Sequence, residues 1–354
     1  MKSNKLFIII TGAIIGVIAV LLVKFGNPAN MGFCIACFIR DTAGALKLHS
    51  AAIVQYMRPE IIGLVLGASI MAFSKKELIA RSGSNPVLRF VLGFFVMVGA
   101  LMFLGCPLRM MLRIGGGDFN AIIGLVGFVG GILLGILALN KGFSFNRSYK
   151  VSNAEGYVFP IIQIAFLVIL VAVPSLIVFS QEGPGSMHAP LIMSLAAGLI
   201  VGAMAQRARF CTVAGIRDSI MFKDFSMLYG FIVLIAVTIV VNIIFGFFNP
   251  GFEAQPVAHT DGLWNFMGMV LVGFGSVLLG GCPLRQLILA GEGNIDSVIT
   301  VLGMFIGAAF CHNFGLAASA DGPTSNGQIA VIIGLAVVGV IAIVNIAGNR
   351  KKGV

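Results

Sequence analysis

Gly105-Cys106-Pro107-Leu108-Arg109 returns unchanged as Gly281-Cys282-Pro283-Leu284-Arg285 in the second half of the 354-residue chain. Five residues of these types do not recur in order by accident, so the chain reads as a tandem duplication. The repeat reaches upstream, where Phe33-Cys34 is followed by Ile39-Arg40-Asp41 and Phe210-Cys211 by Ile216-Arg217-Asp218 at the same spacing. Cys34 and Cys211 are 177 residues apart, and Cys106 and Cys282 are 176 apart, which places both motifs in one unit. Downstream, Gly115, Gly117, Gly127 and Gly131 recur as Gly291, Gly293, Gly303 and Gly307. Internal symmetry of this kind is a mark of transporters.

With 58% hydrophobic and only 10% charged residues, and a mean hydropathy of +1.05, the chain has too little polar surface to clothe a soluble core. It reads as an integral membrane protein. The 46 glycines suit close helix packing in lipid, and the alternating pattern of a barrel is missing, so the expected class is an all-α polytopic membrane protein. The net charge of +10 raises nucleic acid as a partner, but its placement, set out below, is topological. Six cysteines do not form a disulfide scaffold, since four sit in the repeat motifs beside apolar runs. Lys2 and Lys5 ahead of the run from Leu6 to Val23 resemble a signal peptide, yet the run is long enough to span and no A-x-A-like site follows it.

Apolar runs able to cross a bilayer lie at 6–24, 59–74, 87–105, 119–140, 157–180, 190–206, 226–248, 263–281, 295–317 and 328–348. That predicts ten spans, of which 59–74 is the weakest. The stretches around Cys34 and Cys211, and those after Cys106 and Cys282, are too brief to cross and predict re-entrant half-helices. The expected divisions are repeat 1 over 1–143, a cytoplasmic loop and connecting span over 144–189, repeat 2 over 190–325, and a last span with a basic tail over 326–354.

Lys and Arg set the orientation. Seventeen of the 23 basic residues fall on one side when the N-terminus is inside: Lys2, Lys5, Lys75, Lys76, Arg81, Arg89, Lys141, Arg147, Lys150, Arg207, Arg209, Arg217, Lys223, Arg285, Arg350, Lys351 and Lys352. The opposite loops 181–189, 249–262 and 318–327 carry acidic residues and no Lys or Arg. Both termini are therefore expected in the cytoplasm. Four spans per repeat and one span between them turn the second repeat upside down, so Cys34 and Cys106 approach from outside, and Cys211 and Cys282 from the cytoplasm. This inversion requires 59–74 to cross. The six basic residues left outside, Lys24, Arg40, Lys47, Arg58, Arg109 and Arg113, read as attractors of an anion.

Pro at the first helical position is preorganised for helix entry, which predicts Cys106 and Cys282 as N-caps of short helices. The free N–H groups and dipole of such a start favour an anion. A thiol facing that point is a soft, polarisable donor suited to a terminal sulfur or selenium atom. An arginine three residues on adds attraction and can bind oxygens bidentately. Arg40-Asp41 and Arg217-Asp218 admit two readings, a structural ion pair or a ligand contact. The glycines at 115–117 and 291–293 predict turns back into a span, and no P-loop occurs, so the chain itself is no ATPase. Cys34 and Cys37 form a C-x-x-C, but Ala214 stands where the second repeat would carry Cys37. Cys311, Met110 and Met111 read as packing, the histidines show no metal-ligand spacing, and no cofactor is expected. Glu60, Asp118, Glu292 and Asp296 lie near span ends, where solvation accounts for them.

A tandem repeat of F-C-x4-I-R-D followed by G-C-P-L-R, on about ten apolar spans, resembles the YeeE/YedE family of sulfur-transport membrane proteins over about residues 5–320, nearest to its branch linked to selenium metabolism. The resemblance implies an inner-membrane importer, not an enzyme, for thiosulfate or a related sulfur or selenium compound. It implies an hourglass shape with Cys34 and Cys106 receiving substrate outside, Cys282 handing it on inside and Cys211 beside it. Passage would use transient S–H contacts, and a cytoplasmic sulfur-carrier protein would be a partner. The family's count of nine spans sets 59–74 against the ten predicted here. The expected function is transport of a small sulfur- or selenium-containing anion along Cys34, Cys106, Cys211 and Cys282, with Arg40, Arg109, Arg217 and Arg285 setting anion preference. The competing expectation is a membrane thiol oxidoreductase or sulfurtransferase using Cys34 and Cys37; a cysteine-containing channel without saturation is a third.

Overall fold

The structure is a computed structural model that describes residues 5–145 and 148–351. Lys2, Arg147 and Lys352 of the basic set lie outside the described residues. Repeat 1 supplies α1 (Lys5–Lys24), α2 (Ile35–Ala45), α3 (Pro59–Ser74), α4 (Pro86–Met102), α5 (Pro107–Gly115) and α6 (Asn120–Asn140). After the connecting α7 (Asn153–Ala172) and a one-turn α8 (Gly183–Ser186), repeat 2 supplies α9 (Leu191–Ala208), α10 (Thr212–Met221), α11 (Ser226–Phe245), α12 (Gly262–Leu278), α13 (Pro283–Gly291) and α14 (Ile295–Asn313). The chain closes with α15 (Ser325–Lys351). The protein is an all-α polytopic membrane protein, and ten of its described helical segments are long and apolar enough to cross a membrane.

One expected span stops well short of its predicted end. The run 157–180 is apolar throughout, but its helix ends at Ala172 because Pro174 cannot continue it. Pro174–Leu176 form a 3-10 turn and the chain then runs extended from Ile177, with the Val178 N–H donating to Ala45 O at 3.0 Å and the Ser180 N–H to Gln55 O at 2.8 Å. The weak run 59–74 is a helix of 16 residues. It tolerates a lower hydropathy because it lies inside the protein, packed between α9 and α7, with 11 of its 16 residues buried.

The two halves exchange partners. Helix α1 packs on α11, and its counterpart α9 packs on α3; α6 packs on α12, and its counterpart α14 packs on α4. Backbone conformation follows the same correspondence. Lys47 and Lys223, Leu104 and Gly280, and Gly117 and Gly293 all take left-handed φ, each pair 176 residues apart. Such matched conformations arise where one turn design has been copied, even where the copies use different residues.

Glycines let the exchanged helices meet at backbone distance. A Cβ added at Gly127 would stand 2.3 Å from Phe266 O and one at Gly131 would stand 2.1 Å from Val270 O. In the other half a Cβ at Gly303 would stand 2.2 Å from Phe90 O and one at Gly307 2.9 Å from Phe94 O. No flexible side chain can yield at Gly131, because the obstructing atom belongs to the α12 backbone.

The half-helices occupy the interior of this frame. At 11, 9, 10 and 9 residues for α2, α5, α10 and α13, they rise only about 14–17 Å, half of a bilayer core of about 30 Å. Every residue of α2 is buried. An all-round buried helix is surrounded by protein rather than lipid.

Replacing Gly131 by Leu should force α6 and α12 apart and destabilise the fold by about 1–3 kcal/mol, the usual penalty of overpacking. Thermal unfolding of the purified protein in detergent checks this. The same substitution at Gly339, where a Cβ meets nothing within 4 Å, serves as the control and should lower the melting temperature less.

Candidate functional site

Each half-helix begins at a cysteine: Cys34 caps α2, Cys106 caps α5, Cys211 caps α10 and Cys282 caps α13. The sequence predicts this for Cys106 and Cys282; it holds for the other two as well, and the signal was their shared place in the repeat. Only Cys34 closes a cap bond, its Sγ accepting from the Cys37 N–H at 3.3 Å. The Cys106, Cys211 and Cys282 thiols face the N–H groups of Arg109, Ala214 and Arg285 without closing one. A serine or aspartate there would satisfy these amides. The sulfur, a weaker acceptor, caps them less fully in a buried place.

The four thiols form two pairs. Cys34 faces Cys106, and Cys211 faces Cys282, each within interaction range. Each pair joins the first half-helix start of a repeat to the second of the same repeat. All four lie in one apolar core and none is more than 4% exposed. Among the described residues no group of three or more His, Cys, Asp or Glu is arranged to hold a metal ion.

The four arginines divide by their partners. Arg40 lies 2.7 Å from Asp41, which also takes Arg58 at 2.7 Å, and all three are buried. Arg217 pairs with Asp218 at 2.8 Å, and Arg285 with Glu292 at 3.0 Å. Arg109 is fully buried and the groups it meets are backbone carbonyls and a sulfur. Its Nε donates to Asn30 O at 3.1 Å, one terminal nitrogen to Leu104 O and, at 3.5 Å, to Cys37 Sγ, and the other to Val257 O at 3.1 Å and Pro256 O at 3.4 Å. Asn30, Leu104 and Val257 take φ of 57°, 60° and 51°, a region that costs an L-residue about 1–2 kcal/mol. Three strained peptides thus aim their carbonyls at one guanidinium. They hold the cation in place without cancelling its charge, so Arg109 is the positive charge at the Cys34/Cys106 pair.

Two groups of expectations change here. Arg58 and Arg113, read as free attractors, are ion-paired: Arg113 Nε lies 2.6 Å from Asp118 and both are buried. The four carboxylates assigned to solvation are buried as well. Glu60 accepts from Asn27 at 2.8 Å and Ser194 at 3.0 Å. Glu292 pairs with Arg285. Asp296 accepts from Ser82 Oγ at 3.1 Å and the Ser84 N–H at 3.2 Å, anchoring the α3–α4 loop. Sequence position near a span end suggested water; the half-helices fill that space with protein instead.

Two histidines fix loops around the site. His49 Nε2 lies 3.0 Å from Arg40 O, and His259 Nε2 lies 2.8 Å from Met102 O. Burial pushes both imidazoles below their ordinary range, so neither competes with Arg109 as a cation. Cys311, read as packing, is buried within α14.

Asp41→Asn should cost about 3–5 kcal/mol, because it leaves two buried guanidiniums without their counter-charge. Asp218→Asn should cost no more than about 1 kcal/mol, since its pair is screened by solvent at side-chain exposures of 23% and 27%. Thermal melts of the two variants in detergent make the comparison.

Residues 207–349 match a family model described as sulphur transport. A curated relative, the thiosulfate transporter TsuA of Escherichia coli (strain K12), is 30% identical over 123 residues, which is 35% of this chain and 34% of the relative. The aligned part therefore spans about a third of that relative's length. The matched region holds the G-C-P-L-R and I-R-D motifs of the second repeat, and the first repeat carries the same motifs on the same half-helices. By these matches, residues 207–349 are similar to sulfur-transport membrane proteins, and the first repeat carries the same motifs.

Proposed function

We propose that the protein carries a small anion with a terminal sulfur or selenium atom across the inner membrane, from Cys34/Cys106 to Cys211/Cys282. The observation that carries this reading is the pairing of thiols at buried half-helix starts whose amides are incompletely capped. The amides and helix dipoles offer positive potential to oxyanion oxygens. The thiols offer a soft donor to the terminal chalcogen, and passage needs only exchange of S–H contacts with no covalent intermediate. The relative's printed name, a thiosulfate transporter, makes thiosulfate the first substrate to try, and a selenium analogue shares its chemistry.

The two stations differ in charge, and the difference favours import. Arg109 stands uncancelled beside Cys34/Cys106, whereas Arg285 beside Cys211/Cys282 is neutralised by Glu292. An anion binds more tightly at the first pair and is released more easily from the second. With termini read as cytoplasmic and basic loops inside, this supports a reading in which the Arg109 station lies outside and the two repeats are inverted. Release at Cys282 then suits hand-over to a cytoplasmic sulfur carrier. The exchanged helix pairs support the two-fold relation that inversion requires.

A membrane thiol enzyme using Cys34 and Cys37 is the competing reading, favoured by the 2.8 Å contact between these thiols. Uptake of labelled thiosulfate and labelled selenite into cells lacking their own importers tests the transport reading. Wild type should show saturable uptake, and Cys106→Ala or Cys282→Ala at equal membrane level should lower it at least about tenfold, equivalent to ~1.4 kcal/mol in the limiting barrier. Uptake unchanged by both substitutions would contradict the relay.

A further inference from the structure

Cys37 breaks the symmetry of the repeats. Its counterpart is Ala214, so the second pair does without it. Cys34 and Cys37 nevertheless stand at N-cap and third position of α2, the arrangement of dithiols that close at a helix start. Their sulfurs are 2.8 Å apart, with the Cys34 S–H directed at Cys37. A disulfide bond is about 2.0 Å, so the two sulfurs need to approach by under about 1 Å. Cys37 is held in that position from the far side: its S–H donates to Leu104 O at 3.8 Å, and Arg109 donates to its sulfur at 3.5 Å. The same guanidinium supports negative charge on Cys37 as its proton leaves.

The direction of the contact matters. Cys34 interacts with both Cys106 and Cys37. A bond to Cys37 removes the Cys34 S–H, so the soft donor of the first station is lost. Both thiols are fully buried, so a small oxidant such as hydrogen peroxide reaches them more readily than a protein disulfide does.

We propose that Cys34 and Cys37 form a reversible disulfide that switches off the Cys34/Cys106 station. This rests on the transport reading for its consequence, though not for its chemistry. With hydrogen peroxide as oxidant, the Cys34 sulfur attacks one peroxide oxygen and the O–O bond breaks. The leaving hydroxide takes up the thiol proton as water, and Cys34 becomes a sulfenic acid. The Cys37 sulfur then attacks Cys34, the S–O bond breaks, and a second water leaves with the Cys37 proton. Two thiols are oxidised by two electrons in all, and one peroxide is reduced to two waters. A small dithiol such as dithiothreitol returns the pair to thiols by exchange, becoming a cyclic disulfide itself.

The full chain reconstituted in lipid vesicles tests both parts. Mass spectrometry after peroxide should find the peptide containing Cys34 and Cys37 lighter by two hydrogens and unreactive to alkylation, and dithiothreitol should reverse both changes. Uptake of labelled thiosulfate by wild type should fall roughly tenfold on oxidation and recover on reduction, while Cys37→Ala and Cys37→Ser should show no reversible loss. A disulfide at Cys34–Cys106, or no internal link in that peptide, overturns the dithiol assignment whatever the uptake shows. A Cys34–Cys37 disulfide that forms while wild-type uptake continues unchanged overturns the switch. Absence of uptake before oxidation, with the disulfide formed, counts against the transport reading and so against the switch that depends on it, leaving the dithiol itself established.

Discussion

The structure depends on starting four helices inside the protein rather than at its surface. A helix start exposes N–H groups that must find acceptors, and at membrane depth water does not supply them freely. Proline at the first position of α5 and α13 removes one of these donors. The thiol at the cap only partly answers the rest. Helix ends left open at Cys106, Cys211 and Cys282 are costly in an apolar core unless something acceptor-rich visits them, and the small chalcogen oxyanion we propose as substrate would be such a visitor.

Everything around these ends serves to hold them there. The exchange of α1 with α9 and α6 with α14 across the repeats closes a frame in which neither half encloses its own half-helices. Glycines bring the frame helices to backbone distance, and buried ion pairs pin the far ends of the half-helices: Asp41 with Arg40 and Arg58 near α2, Arg113 with Asp118 after α5. Arg109 is treated differently. It is held by carbonyls from Asn30, Leu104 and Val257, each in a strained left-handed conformation, so the fold spends backbone strain to keep one charge uncancelled. The second repeat has Gly280 where Leu104 stands, and Glu292 meets its arginine. Duplication gave two similar stations; divergence gave them unequal charge.

Much of this was legible in the chain because duplication repeats information. Gly-Cys-Pro-Leu-Arg announced both a helix start and its recurrence, and the half-helices followed from lengths too short to cross. The true end of α7 was hidden because 173–179 stays largely apolar past Pro174, and hydropathy cannot separate a span from an apolar turn and extended chain. The burial of Asp118 and Glu60 was hidden because their surroundings come from half-helices and loops far along the sequence. The carbonyl cage of Arg109 left no trace at all. Backbone carbonyls belong to every residue, and only a fold can say which of them converge.

Anomalous diffraction from crystals soaked with selenosulfate, the selenium analogue of thiosulfate, tests the central claim most directly. The account predicts selenium at hydrogen-bonding distance from the sulfurs of Cys34 and Cys106, of Cys211 and Cys282, or of both pairs, with the oxygens turned toward helix N–H groups. Ordered selenium at a site touching none of these thiols, with both pairs empty, would contradict it.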